Sequence, residues 1–327
     1  MPNKSSARSR KSKRNISNRS NKRSSQKKSR RTRKKHSHDS KSVHFHKMNC
    51  SPSGEMDSND FTCYSTKALN KLRDKWNLRH PDNIIPEEKT PREVWSLLKN
   101  YMSGVCHTES CWLRQDFMSE DSTGKSILNY AFSPEQPESW HKNPIEWLTT
   151  RDILKVMQQY EQAYKCFNFL GPSPIDFDSI HQDGKCVWEE LCNFSLQDHI
   201  KRGKNKIGII FNLDPHYKEG SHWISLFINA KKKYIFFMDS NGDKEPVQVS
   251  KLIKRIVSQA KQLGLDLTVL KNAPLVHQKK NTECGMYCLY TIISLLTDKR
   301  SPEFFSTHRV PDEDMVDLRD KYFNAHL

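Results

Sequence analysis

At 327 residues the chain has room for one large domain or two modest ones. The net charge of +16 suggests a nucleic-acid binder until it is located: sixteen of the 54 Lys and Arg lie in residues 1–36, which hold no acid, and the other 38 match the 38 Asp and Glu. No apolar run approaches the roughly 20 residues that span a bilayer, and the basic N-terminus lacks the apolar core of a secretory signal, so the expectation is a soluble, unsecreted chain with no membrane contact.

Residues 1–46 are mostly Ser, Lys, Arg and Asn, with almost nothing to bury, and are expected to be a disordered basic tail. Residues 1–40 could attach to nucleic acid without sequence preference, act as a nuclear-import signal, or only keep the chain soluble. Composition turns globular afterwards. Helices are expected over Tyr64–Trp76, with Leu69, Leu72 and Trp76 on one side, and over Pro91–Met102, with Val94, Trp95, Leu97 and Leu98. They belong to a mostly helical arm or subdomain over 47–142. Nine cysteines (Cys50, Cys63, Cys106, Cys111, Cys166, Cys186, Cys192, Cys284 and Cys288) are odd in number and irregular in spacing, which predicts reduced thiols. Cys106-x4-Cys111 with His107 invites a zinc reading. The spacing is wide and no second pair follows at zinc-finger distance, so buried thiols are the alternative and no metal is expected.

A second domain is expected over 143–327. Thr149 or Thr150 can cap a helix from Arg151 to Tyr164, ended by the breaker Gly171-Pro172-Ser173-Pro174. Val187–Ile200 reads as mixed and helical. The period then changes: Ile207–Leu213, Trp223–Asn229 and Tyr234–Met238 read as strands, the last two joined by a charged hairpin at Lys231-Lys232-Lys233. An amphipathic helix over Val249–Leu263, a short strand over Asp266–Leu270 and a helix starting at Cys284 complete an α+β domain, a mixed sheet flanked by helices. On the last helix Met286, Leu289, Tyr290, Ile293 and Leu296 share one face.

Cys284 therefore stands at a helix N-terminus, where free N–H groups and the helix dipole stabilise a thiolate. The alternative is a small buried hydrophobe. If the two hairpin strands pair, His222 at the start of one lies beside Asp239 at the end of the other. Imidazole and carboxylate then form the base and orienter of a nucleophilic triad. Gln278 could aim its amide N–H at an oxyanion beside the Cys284 N–H, or be an exposed loop residue. No cofactor is needed for such acyl transfer.

The order His222-Trp223, Asp239-Ser240 and Gln278-x5-Cys284-Gly285 resembles the cysteine proteases of the adenain and ubiquitin-like-protease clan, with spacings like the SUMO-protease branch. G-S-H-W-I-S-L-F-I and F-L-G-P-S-P-I-D-F-D look most like the giant-virus members related to the African swine fever virus polyprotein protease. The resemblance implies a thiol protease whose substrate Gly-Gly segment runs between tryptophans. Trp223 matches one of them and Trp147 resembles the other, although Thr149-Thr150 replace the family's Asn-Asp; core packing is the alternative for both. It further implies a maturation enzyme of the virion and host-cell viral factory, cutting structural precursors after Gly-Gly-type sites. Two competing functions are a deconjugating isopeptidase for SUMO or another ubiquitin-like modifier, and a nucleic-acid-binding virion protein with a vestigial protease fold.

Overall fold

The computed structural model describes residues 45–119 and 122–325. Expectations for the basic tail lie almost wholly outside them. The described residues lie in one compact unit.

Six helices come first: α1 (Pro52–Asp57), α2 (Thr66–Arg79), α3 (Pro91–Tyr101), α4 (Glu109–Trp112), α5 (Asp116–Ser119) and α6 (Thr123–Ala131). They close on an apolar cluster of their own, including Tyr64, Leu69, Leu72, Trp76, Val94, Leu98, Trp112 and Phe132. Two of them are the helices expected from the sequence. The caps explain where those start: Ser65 accepts the Ala68 N–H, and Thr90 and Glu93 form a capping box with Pro91 in the first turn. This layer is tied to the chain's far end by Asn324, whose side chain exchanges hydrogen bonds with the Asn49 backbone and donates to the Ser133 carbonyl at 2.8 Å.

The rest of the unit is α7 (Thr150–Ala163), β1 (Phe167–Pro174), α8 (Glu189–Cys192), α9 (Leu196–Lys201), β2 (Lys206–Asn212), β3 (Trp223–Asn229), β4 (Tyr234–Met238), α10 (Val247–Gln262), β5 (Thr268–Lys271), α11 (Cys284–Leu296), α12 (Pro302–Thr307) and α13 (Asp312–Tyr322). The strands make a five-stranded sheet in sequence order. β1–β2 and β4–β5 are parallel, and β2–β3 and β3–β4 antiparallel. This is the mixed α+β sheet expected from the sequence.

Alternation along the strands sorts the core into two faces. Trp223 and Phe227 of β3, with Tyr234, Phe236 and Met238 of β4, pack against α7 and α11. Ile224, Leu226 and Ile228, with Ile235 and Phe237, pack against α10. Each fully buried side chain of this size contributes about 1.5–3 kcal/mol of transfer free energy. Covered on both faces, the central strands read as near-continuous apolar runs.

Three expectations are corrected. Gly171-Pro172-Ser173-Pro174 is not a breaker but the end of β1. Proline is tolerated there because β1 is an edge strand and its register with β2 shifts between Leu170 and Ser173. Val187–Ile200 is mixed and helical, as expected: α8 and α9 are separated at Asn193–Ser195, where Ser195 caps α9. Helix α11 is buried nearly all round rather than on one face, since it lies between the sheet and α7 and α13. Finally, the cysteines are not all reduced. Cys50–Cys63, Cys106–Cys111 and Cys186–Cys192 are disulfides, while Cys166, Cys284 and Cys288 are free. The fold brings the partners' Cα atoms to 5.1, 5.5 and 6.3 Å, a proximity that irregular sequence spacing does not reveal. Cys106 and Cys111 are thus bonded to each other rather than buried as thiols.

Candidate active site

Strand register decides which polar residues share an edge. Ser225 of β3 stands opposite Met238 of β4. His222, one residue before β3, and Asp239, one after β4, therefore leave the sheet on the same side. Their side chains meet, His222 Nε2 lying 2.8 Å from Asp239 Oδ1. Asp239 is 2% exposed. Its Oδ1 also accepts the Asn241 N–H at 2.8 Å. The turn delivering His222 needs Gly220: its φ is +107°, and a Cβ there would collide with the Asn212 amide. Asn212 Oδ1 in turn accepts the N–H groups of Asp214 and Ser221.

With Nε2 engaged by Asp239, Nδ1 is the nitrogen left to face the Cys284 thiol. Burial pushes the His222 pKa down. The hydrogen bonds to Asp239 and Cys284, with their charges, outweigh it and raise the pKa to about 9. Such an imidazole is protonated at neutral pH, as a thiolate–imidazolium pair requires.

Cys284 opens α11, and the Glu283 side chain makes no capping bond there. The first-turn N–H groups are left for a thiolate or an oxyanion. Gly285 permits the close approach of Leu148, because a Cβ would lie 3.0 Å from the Leu148 Cβ. Cys288, one turn on, is buried among apolar side chains. Burial pushes its thiol well up, so it stays protonated and unreactive.

Gln278 is 5% exposed, not a free loop residue. The N–H groups of His277 and Gln278 both donate to the Ser240 carbonyl, each at 2.9 Å. The Ser240 hydroxyl donates to Gln278 Oε1 at 2.8 Å. The amide is thereby bound to the residue following Asp239. Thiol, imidazole, carboxylate and amide are gathered at one edge of the sheet, the set needed for nucleophilic acyl transfer.

Residues 197–327 match the Ulp1 protease family, C-terminal catalytic domain. A protein of Acanthamoeba polyphaga mimivirus named as a thiol protease is 27% identical over 265 residues, covering 76% of this chain and 84% of its own. A cysteine protease of African swine fever virus is 26% identical over 249 residues, 72% and 89% of the two chains. The crystal structure of the African swine fever virus protease superposes with a TM-score of 0.57 at 21% identity, covering 86% of this chain and 97% of that one, a likeness of fold. The chain is a cysteine-type peptidase whose residues 197–327 are similar to the Ulp1 catalytic domain.

In this peptidase the two sequence-predicted tryptophans line one groove of about 760 Å³ with Pro172, Trp188, Asn212 and His216. Trp223 is 7% exposed and donates from Nε1 to the Leu148 carbonyl at 2.9 Å; Trp147, the neighbour of Leu148, is 38% exposed. Leu148 is held by the start of α7, where Thr149 and Asp152 form a capping box. Thr149 thus acts as the helix cap foreseen in the sequence.

Several supports were not legible in the sequence. Asn272 is 1% exposed. It clamps the Asp239 main chain, accepting its N–H at 3.0 Å and donating to its carbonyl at 2.6 Å. Asp312, at the start of α13, accepts the N–H groups of Lys279 and Lys280, at 3.0 Å each, and the Tyr287 hydroxyl at 2.9 Å. The His277 ring bonds to the Phe305 carbonyl and accepts the Val310 N–H. Gln278 is therefore anchored on both sides to the 305–312 segment. Glu283, beside Cys284, is fully buried and paired with Arg319 Nε at 2.9 Å. The guanidinium lies 4.5 Å from the Trp140 ring centre. Only buried Asn, Asp and Arg in otherwise ordinary loops and helices signalled these roles, and burial is a tertiary property.

Proposed function

We propose that the chain is an endopeptidase that cleaves precursor proteins after Gly-Gly-type sites, as in the maturation of a virion, with residues 47–142 as an arm on a catalytic domain over 143–327. Cys284 is the nucleophile and His222 its base, with Asp239 orienting the imidazole. The thiolate attacks the scissile carbonyl. The Gln278 amide and the Cys284 N–H hold the tetrahedral oxyanion. The imidazolium protonates the leaving amine, and water then hydrolyses the thioester.

The observation that carries the substrate class is the shared groove of Trp147 and Trp223, next in sequence to His222 and reaching α11 through Leu148. A chain passing between two indoles is accommodated best where it has no side chains, as at Gly-Gly. The viral relatives, named as proteases and similar over most of their length, favour processing of viral proteins in the virion and host cytoplasm. Some African swine fever virus relatives are named SUMO-1 cysteine protease, which supports deconjugation of a ubiquitin-like modifier as the second reading.

Profiling on a peptide library, with a SUMO-conjugated protein offered alongside, separates the two. Cleavage after Gly-Gly in unconjugated peptides with no release of SUMO is the expected result. SUMO release with poor peptide cleavage would favour deconjugation, and a profile without Gly on the acyl side would refute both.

A further inference from the structure

We infer that Ser240 is a positioning residue for the oxyanion donor: its hydroxyl decides which end of the Gln278 amide faces the reacting carbonyl. The inference rests on reading Gln278 as that donor.

A primary amide presents an N–H donor at one end and a carbonyl acceptor at the other, and a half-turn about its last torsion exchanges them with little change of shape. The exchange is decisive chemically. An N–H donor stabilises a developing oxyanion, whereas an amide oxygen in its place repels it. The backbone anchors fix where Gln278 lies: Ser240 accepts its N–H, His277 bonds to the Phe305 carbonyl, and Asp312 holds Lys279 and Lys280. None of them distinguishes the two ends of the amide.

Among the described residues, the Gln278 side chain makes one hydrogen bond, Ser240 Oγ to Oε1 at 2.8 Å. Ser240 is 2% exposed, and its hydroxyl proton has no other acceptor among those residues. Turning the amide over would leave that buried proton unpaired, while the observed orientation pairs it and leaves Nε2 free to donate. Ser240 thus serves the site twice. Its carbonyl sets the height of the strap formed by residues 277–280 through the His277 and Gln278 N–H groups, and its hydroxyl sets the polarity of the side chain that this strap carries. The Asp-Ser pair in the sequence is accordingly two functional residues, one acting on the imidazole and the other on the amide.

Ser240 also follows Asp239, so a simple loss on mutation could come through His222. A double-mutant cycle with pH profiles separates the routes, using Ser240→Ala, Gln278→Ala and the double variant on a fluorogenic peptide cleaved by the wild type. Ser240→Ala is expected to lower kcat about tenfold with KM unchanged, as for one net hydrogen bond. The alkaline limb of its pH profile should stay in place, Ser240→Thr should recover activity, and Ser240→Ala should have no further effect in the Gln278→Ala background. Wild-type kcat in Ser240→Ala, while Gln278→Ala is impaired, would overturn the inference and leave the oxyanion reading standing. So would an undiminished Ser240→Ala effect in the Gln278→Ala background, or a shifted alkaline limb. Unimpaired Gln278→Ala would remove both.

Discussion

At the scale of residues, the His222 pKa links geometry to measurable pH dependence. The ring titrates at about 9 in the fold against an ordinary 6.5. The stability this confers is full below about 6.5 and is lost as pH rises through about 9. The alkaline limb of kcat/KM is expected near the same pH, where the imidazolium loses its proton. Asp239→Asn removes the charge facing Nε2, so it should move that limb to lower pH and cut kcat on the order of 10²–10⁴-fold without abolishing turnover. An unmoved limb would mean that Asp239 does not face the titrating ring in solution. Cys284→Ala should abolish cleavage with an unchanged circular dichroism spectrum, and His222→Ala should behave alike. Turnover by purified Cys284→Ala would exclude it as nucleophile.

At the scale of elements, the site depends on contacts between pieces distant in sequence. Asp312 of α13 holds the strap before α11, and its carboxylate accepts all three bonds, two from main-chain N–H groups. Asp312→Asn keeps the size but places an amide where only acceptors fit. We expect a cost of about 1–3 kcal/mol, from one mispaired buried group, seen as a lower denaturation midpoint and a lower kcat. Asn324 performs a comparable service for the arm through Asn49 and Ser133. Asn324→Ala should expose the 45–134 segment to limited proteolysis before the catalytic domain. Simultaneous cleavage of both would show that arm and domain open together.

At the scale of the whole molecule, charge and redox state are unevenly distributed. Of nine cysteines, six are paired and three free. Alkylating the unreduced, denatured protein should therefore label Cys166, Cys284 and Cys288, with the other six labelled only after reduction; full labelling without reductant would restore the reduced-thiol reading. Acid should destabilise the fold. Burial and the Arg202 charge depress the His199 pKa to about 4, and burial depresses that of His277. As pH falls below about 6.5 the unfolded chain takes up these protons first, so the melting temperature should drop between about 6.5 and 4. The basic tail is a separate matter of mass charge. Deleting residues 1–40 should weaken salt-sensitive DNA binding and leave small-peptide cleavage unchanged. Equal DNA affinity after deletion would remove nucleic acid from the tail's role.

What the sequence determined by itself is local chemistry and period. Trp223–Asn229 and Tyr234–Met238 are read to the residue, because strands covered on both faces are continuous apolar runs with unambiguous ends. Cys284 at a helix start and the order of His222, Asp239, Gln278 and Cys284 are likewise visible, since a hairpin and a helix N-terminus are short-range features. Tertiary structure decided everything that depends on burial or on a distant partner. It made an edge strand of a Pro-rich segment and paired cysteines that spacing left unassigned. It turned Ser240, Asn272, Asp312 and Arg319 from ordinary polar residues into the anchors of the site. A hydrogen-bonding side chain is the same in loop and core; only desolvation, which the fold imposes, makes its single partner obligatory.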